Sequence, residues 1–262
     1  MSADLKKLFS AALRVPAFLG ATVCSAVLCY YIAGAVLTNR IDLSAPKTDR
    51  PDDQRAVLAA LIERETVKHV YTPDPLFYEP AAVLDNMPAF QQGIIAAAAR
   101  LTEASGDAEA AALLSEPADR RASAAAFRRA AVLLREKAGE NASPIPLRAV
   151  RDLIADARER LLRHVLRREM YFIDLKADDV FYFAKGELYT AFLVLRAAKR
   201  GEGTETGVEK ALFLLQRAVA LQPPLVLNVS PSSQFAPNHL AGAGFYAGGA
   251  LEAVESAEGG LK

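Results

Sequence analysis

The stretch DDVFYFAKGELYTAFLVLRAAKR, residues 178–200, is apolar on nearly every side when it is wound as a helix. Its apolar side chains recur at steps of three and four residues, which is the spacing of an α-helix. A helix that lacks a polar face is buried when it belongs to a folded body. We therefore predict that residues 178–200 form the central helix of an all-α domain.

The segments on either side continue the helical pattern. Residues 147–170 combine an apolar stripe with arginines and acids at i,i+4 spacings, which indicates a solvated helix face rather than a polyanion site. Residues 71–88 are rich in proline and aromatics, and we predict an extended strap whose rings pack on the domain. The last predicted helix, residues 238–257, contains small residues that permit close approach of a neighbour, namely Gly242, Gly244, Gly248 and Gly249.

A second long apolar stretch lies near the N-terminus. Residues 15–39 read VPAFLGATVCSAVLCYYIAGAVLTN and contain no charged side chain. A bilayer core of about 30 Å needs about 20 apolar helical residues, so we predict a transmembrane helix at residues 15–38, with the lipid bilayer as its partner. The stretch exceeds the ~7–15 residues of a signal-peptide core, which favours an uncleaved signal anchor. The triplet Ala33-Gly34-Ala35 keeps a cleaved signal peptide as the alternative.

This organisation divides the chain into four ranges: a tail at 1–14, the transmembrane helix at 15–38, a linker at 39–50 and a helical domain at 51–262. Lysine and arginine flank the span equally, but the basic N-terminal flank is short and the other flank is diluted with aspartates. We therefore expect a bacterial inner-membrane protein with a cytoplasmic tail and a periplasmic domain.

Composition excludes several classes of protein. The 31 basic and 31 acidic residues leave no net charge, so nucleic acid is not an expected partner. Cys24 and Cys29 both lie in the predicted span, which leaves the body without thiolate ligands. His69, His164 and His239 match no metal-binding spacing, and phosphate-loop and nucleophile-elbow motifs are absent. We expect neither a metal nor another cofactor.

Three blocks of the body carry a family resemblance: residues 84–88, residues 177–186, and Leu227-Asn228 followed by residues 236–239. They resemble the bacterial domain-of-unknown-function family twenty-three thirty-three, single-span inner-membrane proteins with a helical body. The chain departs from that family in being shorter between residues 104 and 144, and in having Pro237 where the family has an asparagine directly after the alanine. The resemblance implies an envelope location and an all-helical fold, and it implies no activity, ligand or catalytic residue.

The polar residues of these blocks are the candidates for chemistry. Asp178 and Asp179 precede an apolar helix, so we interpret them first as caps that complement its dipole. The alternative is a general acid/base pair that works with Tyr182 and His239. Three asparagines are candidate contacts to a ligand or a protein partner: Asn86, Asn228 and Asn238. Asn86 and Asn238 also precede helices and are natural caps.

Two functions follow from these interpretations. The favoured hypothesis is a membrane-anchored interaction or scaffold subunit of an envelope assembly, which binds another envelope protein or a second copy of itself. The alternative is an envelope enzyme or small-ligand binder that uses Asp178, Asp179, Tyr182 and His239. Convergence of these side chains in a cleft favours the alternative, whereas burial of each in a structural role favours the interaction subunit.

Overall fold

The computed structural model describes residues 18–34, 41–69, 71, 86–115, 120–139, 143–167, 174–201, 206–223, 226–231, 233 and 236–260. Throughout these ranges the regular structure is helical, with no strand, and the predicted all-α class is confirmed. The chain divides into two units. In the first unit the structure describes one helix, and the second unit contains the described residues from Ile41 onward.

The helix of the first unit, α1, covers residues 18–34. It contains no charged residue, and its large apolar side chains are exposed: Phe18, Leu19, Val23, Val27, Leu28, Tyr30 and Ile32. Within the described ranges, no helix has the length and apolarity needed to cross a membrane. The predicted span at 15–38 extends past α1 at both ends, into residues outside the described ranges.

The second unit, here called the body, consists of the remaining helices and their connections. In chain order they are α2 (Gln54–Glu63) with a π-helical turn (Arg64–Lys68), α3 (Asn86–Ala104), α4 (Ala108–Ser115), α5 (Arg120–Glu136), α6 (Leu147–Leu166), α7 (Leu175–Gly201), α8 (Thr206–Ala220) and α9 (His239–Gly260).

The α7 helix is the centre of the body, as its apolar sequence predicts. It packs against α2, α3, α6, α8 and α9. Leu188 is 1% exposed, whereas Phe192 is only half-buried. Where α7 crosses α3 the two backbones touch: a Cβ added to Gly186 would lie 2.3 Å from the carbonyl oxygen of Phe90, and one added to Gly93 would lie 2.1 Å from that of Phe183. Only glycine fits at this crossing.

The α9 helix lies between α6 and α8, and its small residues allow both neighbours to approach. A Cβ at Gly244 would lie 3.1 Å from a methyl group of Leu162 on α6, and one at Gly249 would lie 3.1 Å from a methyl group of Leu214 on α8. The close approach predicted for these glycines is therefore confirmed. Gly242 differs, because a Cβ there would meet no atom within 4 Å.

The segments outside the helices also pack on the body. Ile41 and Leu43 contact the core, so the described part of the predicted linker at 39–50 lies against the domain. In the proline-rich strap, Tyr71 is buried and its ring meets that of Phe127 edge-on, with 5.1 Å between centroids. This confirms the predicted packing for Tyr71. Phe77 and Tyr78 lie outside the described residues.

Candidate functional site

The two aspartates predicted to cap the central helix lie inside it. The α7 helix begins at Leu175, and its cap is Asp174, whose Oδ1 accepts hydrogen bonds from the N–H groups of Lys176 at 3.1 Å and Ala177 at 3.2 Å. The capping role predicted for Asp178 and Asp179 is therefore wrong. Asp178 lies in the first turn, where a carboxylate complements the helix dipole, and Asp179 is exposed.

Tyr182 and His239 both hold backbone groups of the segment that joins α8 to α9. The Tyr182 hydroxyl donates to the Pro223 carbonyl at 2.8 Å. Burial, together with the negative charge of Asp178, raises the pKa of Tyr182. Nδ1 of His239 accepts from the Leu227 N–H at 2.9 Å, and burial lowers the pKa of His239. Each side chain thus fixes a different point of the connecting segment.

Two of the three candidate asparagines meet in one polar cluster, the asparagine cluster, formed by Asn228, Asn238, Asp174 and His164. Nδ2 of Asn238 donates to Oδ1 of Asn228 at 3.0 Å, and Nδ2 of Asn228 lies 3.5 Å from Oδ2 of Asp174. His164 Nε2 is 2.7 Å from the same Asp174 oxygen. Burial opposes the Asp174 charge, but the contacts with His164 and Asn228 outweigh it and lower the pKa of Asp174. The cluster ties the end of α6 to the starts of α7 and α9.

The capping predictions for the asparagines have different outcomes. Oδ1 of Asn238 accepts from the Ala241 N–H at 2.8 Å, so its role as the cap of α9 is confirmed. Asn86 is the buried first residue of α3, and its Oδ1 has no hydrogen-bond partner among the described atoms. A cap would accept from a backbone N–H there, so the capping prediction for Asn86 is wrong.

Sequence reasoning missed an ion-pair network at the end of α2, the Arg64 network, formed by Arg64, Glu65, His69, Gln91 and Tyr189. It lies at the π-helical turn, a distortion that often marks functional sites. Arg64 Nε donates to Glu65 Oε1 at 2.8 Å, and both side chains are buried. Arg64 Nη1 donates to the carbonyl of Ser44 at 2.6 Å, and the Tyr189 hydroxyl donates to the same oxygen at 2.6 Å. The network therefore fixes Ser44 against α2 and α7.

Glu65 carries the negative charge of this network. Its Oε2 lies 3.1 Å from Nδ1 of His69 and 3.4 Å from Nε2 of Gln91. Burial favours the neutral acid, but the hydrogen bond with His69 and the charge of Arg64 outweigh burial and lower the pKa of Glu65. The carboxylate thus stays charged at neutral pH and makes a poor general base there.

The sequence does contain a signal for the network. Glu65 follows Leu58 and Leu61 at steps of seven and four, so a carboxylate continues the apolar stripe of α2 into the π-helical turn. A charged residue on a buried stripe requires an internal partner. The adjacent Arg64 is one such partner that the sequence offers. The contact between Arg64 and Tyr189 cannot be predicted from the sequence, because 125 positions separate these two residues.

Two further charged residues lie on the buried surface of α7. Lys185 Nζ donates to the Leu221 carbonyl at 2.6 Å, and burial lowers the pKa of Lys185 to about 7. Glu187 lies 3.4 Å from the Arg160 guanidinium, and burial outweighs that positive charge and raises the pKa of Glu187. A lysine that titrates near neutrality is a potential nucleophile or base, yet its amine here holds a backbone carbonyl.

The body also has an open cleft of about 540 Å³ between residues 47–50, α2 and the end of α5. Ala56 and Ala60 line it together with charged side chains that include Arg50 and Arg135. Arg135 makes two hydrogen bonds to Glu63, at 2.7 and 2.5 Å, and Arg50 donates to the Ala138 carbonyl at 2.6 Å. None of the candidate residues from the sequence lines this cleft.

Comparison with protein-family models, with characterised proteins and with solved structures finds no match to this chain. The resemblance to family twenty-three thirty-three therefore stays a prediction.

Proposed function

We propose that this chain is a membrane-anchored interaction subunit, in which α1 inserts into a lipid bilayer and the helical body binds protein. The observation that carries the proposal is the surface of α1. Its apolar side chains are exposed around the helix, with Phe18 73% and Leu28 61% exposed, and it has no charged residue. Burying one such side chain is favourable by about 1.5–3 kcal/mol, so α1 gains strongly from an apolar environment.

The contacts of the candidate polar residues support the interaction role over the enzymatic one. Tyr182, His239 and Asn238 each hydrogen-bond to a backbone group of the connection between α8 and α9, namely the Pro223 carbonyl, the Leu227 N–H and the Val229 carbonyl. Burial of polar groups in such structural roles is what we expect of a scaffold. An enzyme or small-ligand binder that uses Asp178, Asp179, Tyr182 and His239 gains no support from these contacts.

Membrane fractionation tests the anchor. The full chain is expected in the membrane pellet, resistant to high salt and released by detergent. Replacing both Val23 and Val27 of α1 with arginine should move it to the soluble fraction, because each arginine costs about 2.5–3.5 kcal/mol at a helix centre in the bilayer. The matched control is Val132→Arg on α5, at an exposed position of the body. Release of the wild-type chain by salt alone would contradict the proposal.

Reporter fusions test the orientation that we propose with it. Alkaline phosphatase fused after Lys262 should be active, and green fluorescent protein at the same position should remain dark, because the body lies in the periplasm. The reverse pattern would place the body in the cytoplasm and leave the anchor itself intact.

A further inference from the structure

The outer surface of α8 and α9 exposes aromatic and charged side chains together. We call it the α8–α9 face and define it by Lys210, Phe213 and Arg217 on α8 and by Phe245 and Glu252 on α9. All five are exposed, and Phe213 and Phe245 are 54% and 75% exposed. Two large aromatic side chains on adjacent helices favour a contact that removes them from water.

The packing between the two helices fixes which residues lie at the same level. A Cβ at Gly207 would lie 2.8 Å from the carbonyl oxygen of Ala253, and one at Gly249 would lie 3.1 Å from a methyl group of Leu214. The helices are therefore antiparallel. These contacts fix which residues of α8 and α9 lie at the same level, that is, at the same height along the two helix axes. Lys210 is level with Glu252, Phe213 with Gly249, and Arg217 with Phe245.

This register makes the face complementary to itself. On this face α8 contributes the basic side chains of Lys210 and Arg217, and α9 contributes the acidic side chain of Glu252. The projecting Phe213 stands at the same level as Gly249, which lacks a side chain. A two-fold axis parallel to the helices would stack α8 of one copy on α9 of another and would preserve these levels. Antiparallel neighbours of this kind form four-helix bundles, and every contact in a two-fold interface occurs twice.

We propose that two copies of this chain associate through the α8–α9 face as a two-fold four-helix interface. Lys210 pairs with the partner's Glu252, Phe213 packs over the partner's Gly249, and Arg217 stacks on the partner's Phe245. Arg217 already lies over the Phe213 ring in one copy, 5.1 Å from its centroid, so its guanidinium is poised for aromatic contact. This proposal rests on the interaction role proposed above and names its partner as a second copy.

Sedimentation equilibrium of the full chain in mild detergent tests the proposal, through charge reversals at one pair. The wild type is expected to be a dimer. Lys210→Glu and Glu252→Lys should each weaken dimerisation about tenfold, because each variant places like charges at both symmetric pairs. Thermal melts by circular dichroism establish that the variants are folded, and Glu209→Lys is a control that changes an exposed charge beside the face.

Mixing the two charge-reversal variants gives the decisive measurement. A dimer of one Lys210→Glu copy and one Glu252→Lys copy has opposite charges at both pairs, so the mixture should regain wild-type affinity. An effect within a single chain cannot be rescued by mixing. A monomeric wild type, a dimer that both variants leave unchanged, or a mixture without rescue would each overturn the second-copy proposal. Cross-linking of the face to a different protein would overturn it too, and membrane retention would still support the anchor.

Discussion

The helices α1 and α7 are both apolar on nearly every side, yet one is exposed and the other is buried. In α7, Phe181 and Leu188 are each 1% exposed, whereas in α1 Phe18 and Leu28 are 73% and 61% exposed. The two helices differ in the features that permit close packing. Gly186 of α7 lies against the α3 backbone, while a Cβ at Gly20 of α1 would meet no atom within 4 Å.

The polar residues of the two helices also differ. The α7 helix carries Lys185, Tyr189 and Thr190 into the core, and each has a hydrogen-bond partner at 2.6 to 2.9 Å. The α1 helix contains no lysine, arginine, aspartate or glutamate. The buried α7 helix thus combines apolar surface with specific hydrogen bonds. The apolar surface of α1 lacks charged groups and suits an environment, such as lipid, that offers no hydrogen-bond partners.

The largest effect should come from adding one methyl group where the backbones touch. Gly186→Ala places a Cβ 2.3 Å from a backbone oxygen, so we expect the free energy of unfolding to fall by more than about 4 kcal/mol. Gly20→Ala in α1 is the matched control, and it should leave the melting of the body unchanged. The chain has no tryptophan, so far-UV circular dichroism in detergent is the measurement. Equal stability of the two variants would mean that the α3–α7 crossing is looser than described.

The next comparison is between a buried carboxylate, Glu65 of the π-helical turn, and an exposed one, Glu63 at the end of α2. Glu65→Gln keeps the side-chain shape but leaves Arg64 as an uncompensated buried charge, which should cost about 3–5 kcal/mol. Glu63→Gln is the control, because Glu63 and its partner Arg135 are 36% and 52% exposed, and it should cost less than about 1 kcal/mol. Urea denaturation of both variants gives the two values. Similar costs for both would show that the Arg64 network contributes no more than a surface pair.

Leucine truncation compares the two helices directly. Leu188→Ala in α7 should cost about 2–5 kcal/mol, because a cavity replaces a fully buried side chain. Leu28→Ala in α1 should change the unfolding of the body by less than about 0.5 kcal/mol. Denaturant titrations with each variant measure both, and a small effect at Leu188 would contradict the central position of α7.

The effect that is smallest per step of the measured variable concerns pH. Lys185 titrates at about 7 in the folded body and at its ordinary value of 10.5 when unfolded. Between these values the unfolded chain holds the extra proton, so the free energy of unfolding should rise with pH by up to about 1.4 kcal/mol per unit. The gain begins as the pH rises through 7 and is complete above 10.5.

Lys185→Met should flatten this rise, and Lys176→Met, at an exposed position of the same helix, should leave it in place. Thermal melts from pH 7 to 9 make the comparison. His239, whose pKa is lowered, acts in a separate window, because its stabilising effect is complete above 6.5 and declines as the pH falls below that value. A slope that persists in Lys185→Met would assign the pH dependence to other groups.

Much of the fold follows from the sequence because helical periodicity is a local property. The all-α class, the central position of α7, the close packing of α9 and the cap at Asn238 depend on residues within one or two turns of each other. The predicted start of α7, at residue 178, is wrong for the same reason, because the helix begins at Leu175. The apolar repeat begins at Val180, and the repeat does not reveal that Asp174 caps the helix about one turn before the predicted start at Asp178.

The polar interior could not be predicted in the same way, because its partners are distant in the sequence. The Ser44 carbonyl is 20 positions from Arg64 and 145 positions from Tyr189, and Lys185 reaches a carbonyl 36 positions away. Periodicity indicates that Glu65 needs a partner but carries no information about which residue folds against it. The packing of α2, α3 and α7 brings the members of the Arg64 network together, and the packing of α7 on α8 brings Lys185 to Leu221.

The two hydrogen bonds to the Ser44 carbonyl affect how the body responds to a pulling force. Tension transmitted along the chain from the N-terminal side reaches the body at its first described residues, 41–44. There, Arg64 of the π-helical turn and Tyr189 of α7 both donate hydrogen bonds to the Ser44 carbonyl oxygen. A pull on residues 41–44 would therefore act first on two hydrogen bonds, one to α7 and one to the π-helical turn.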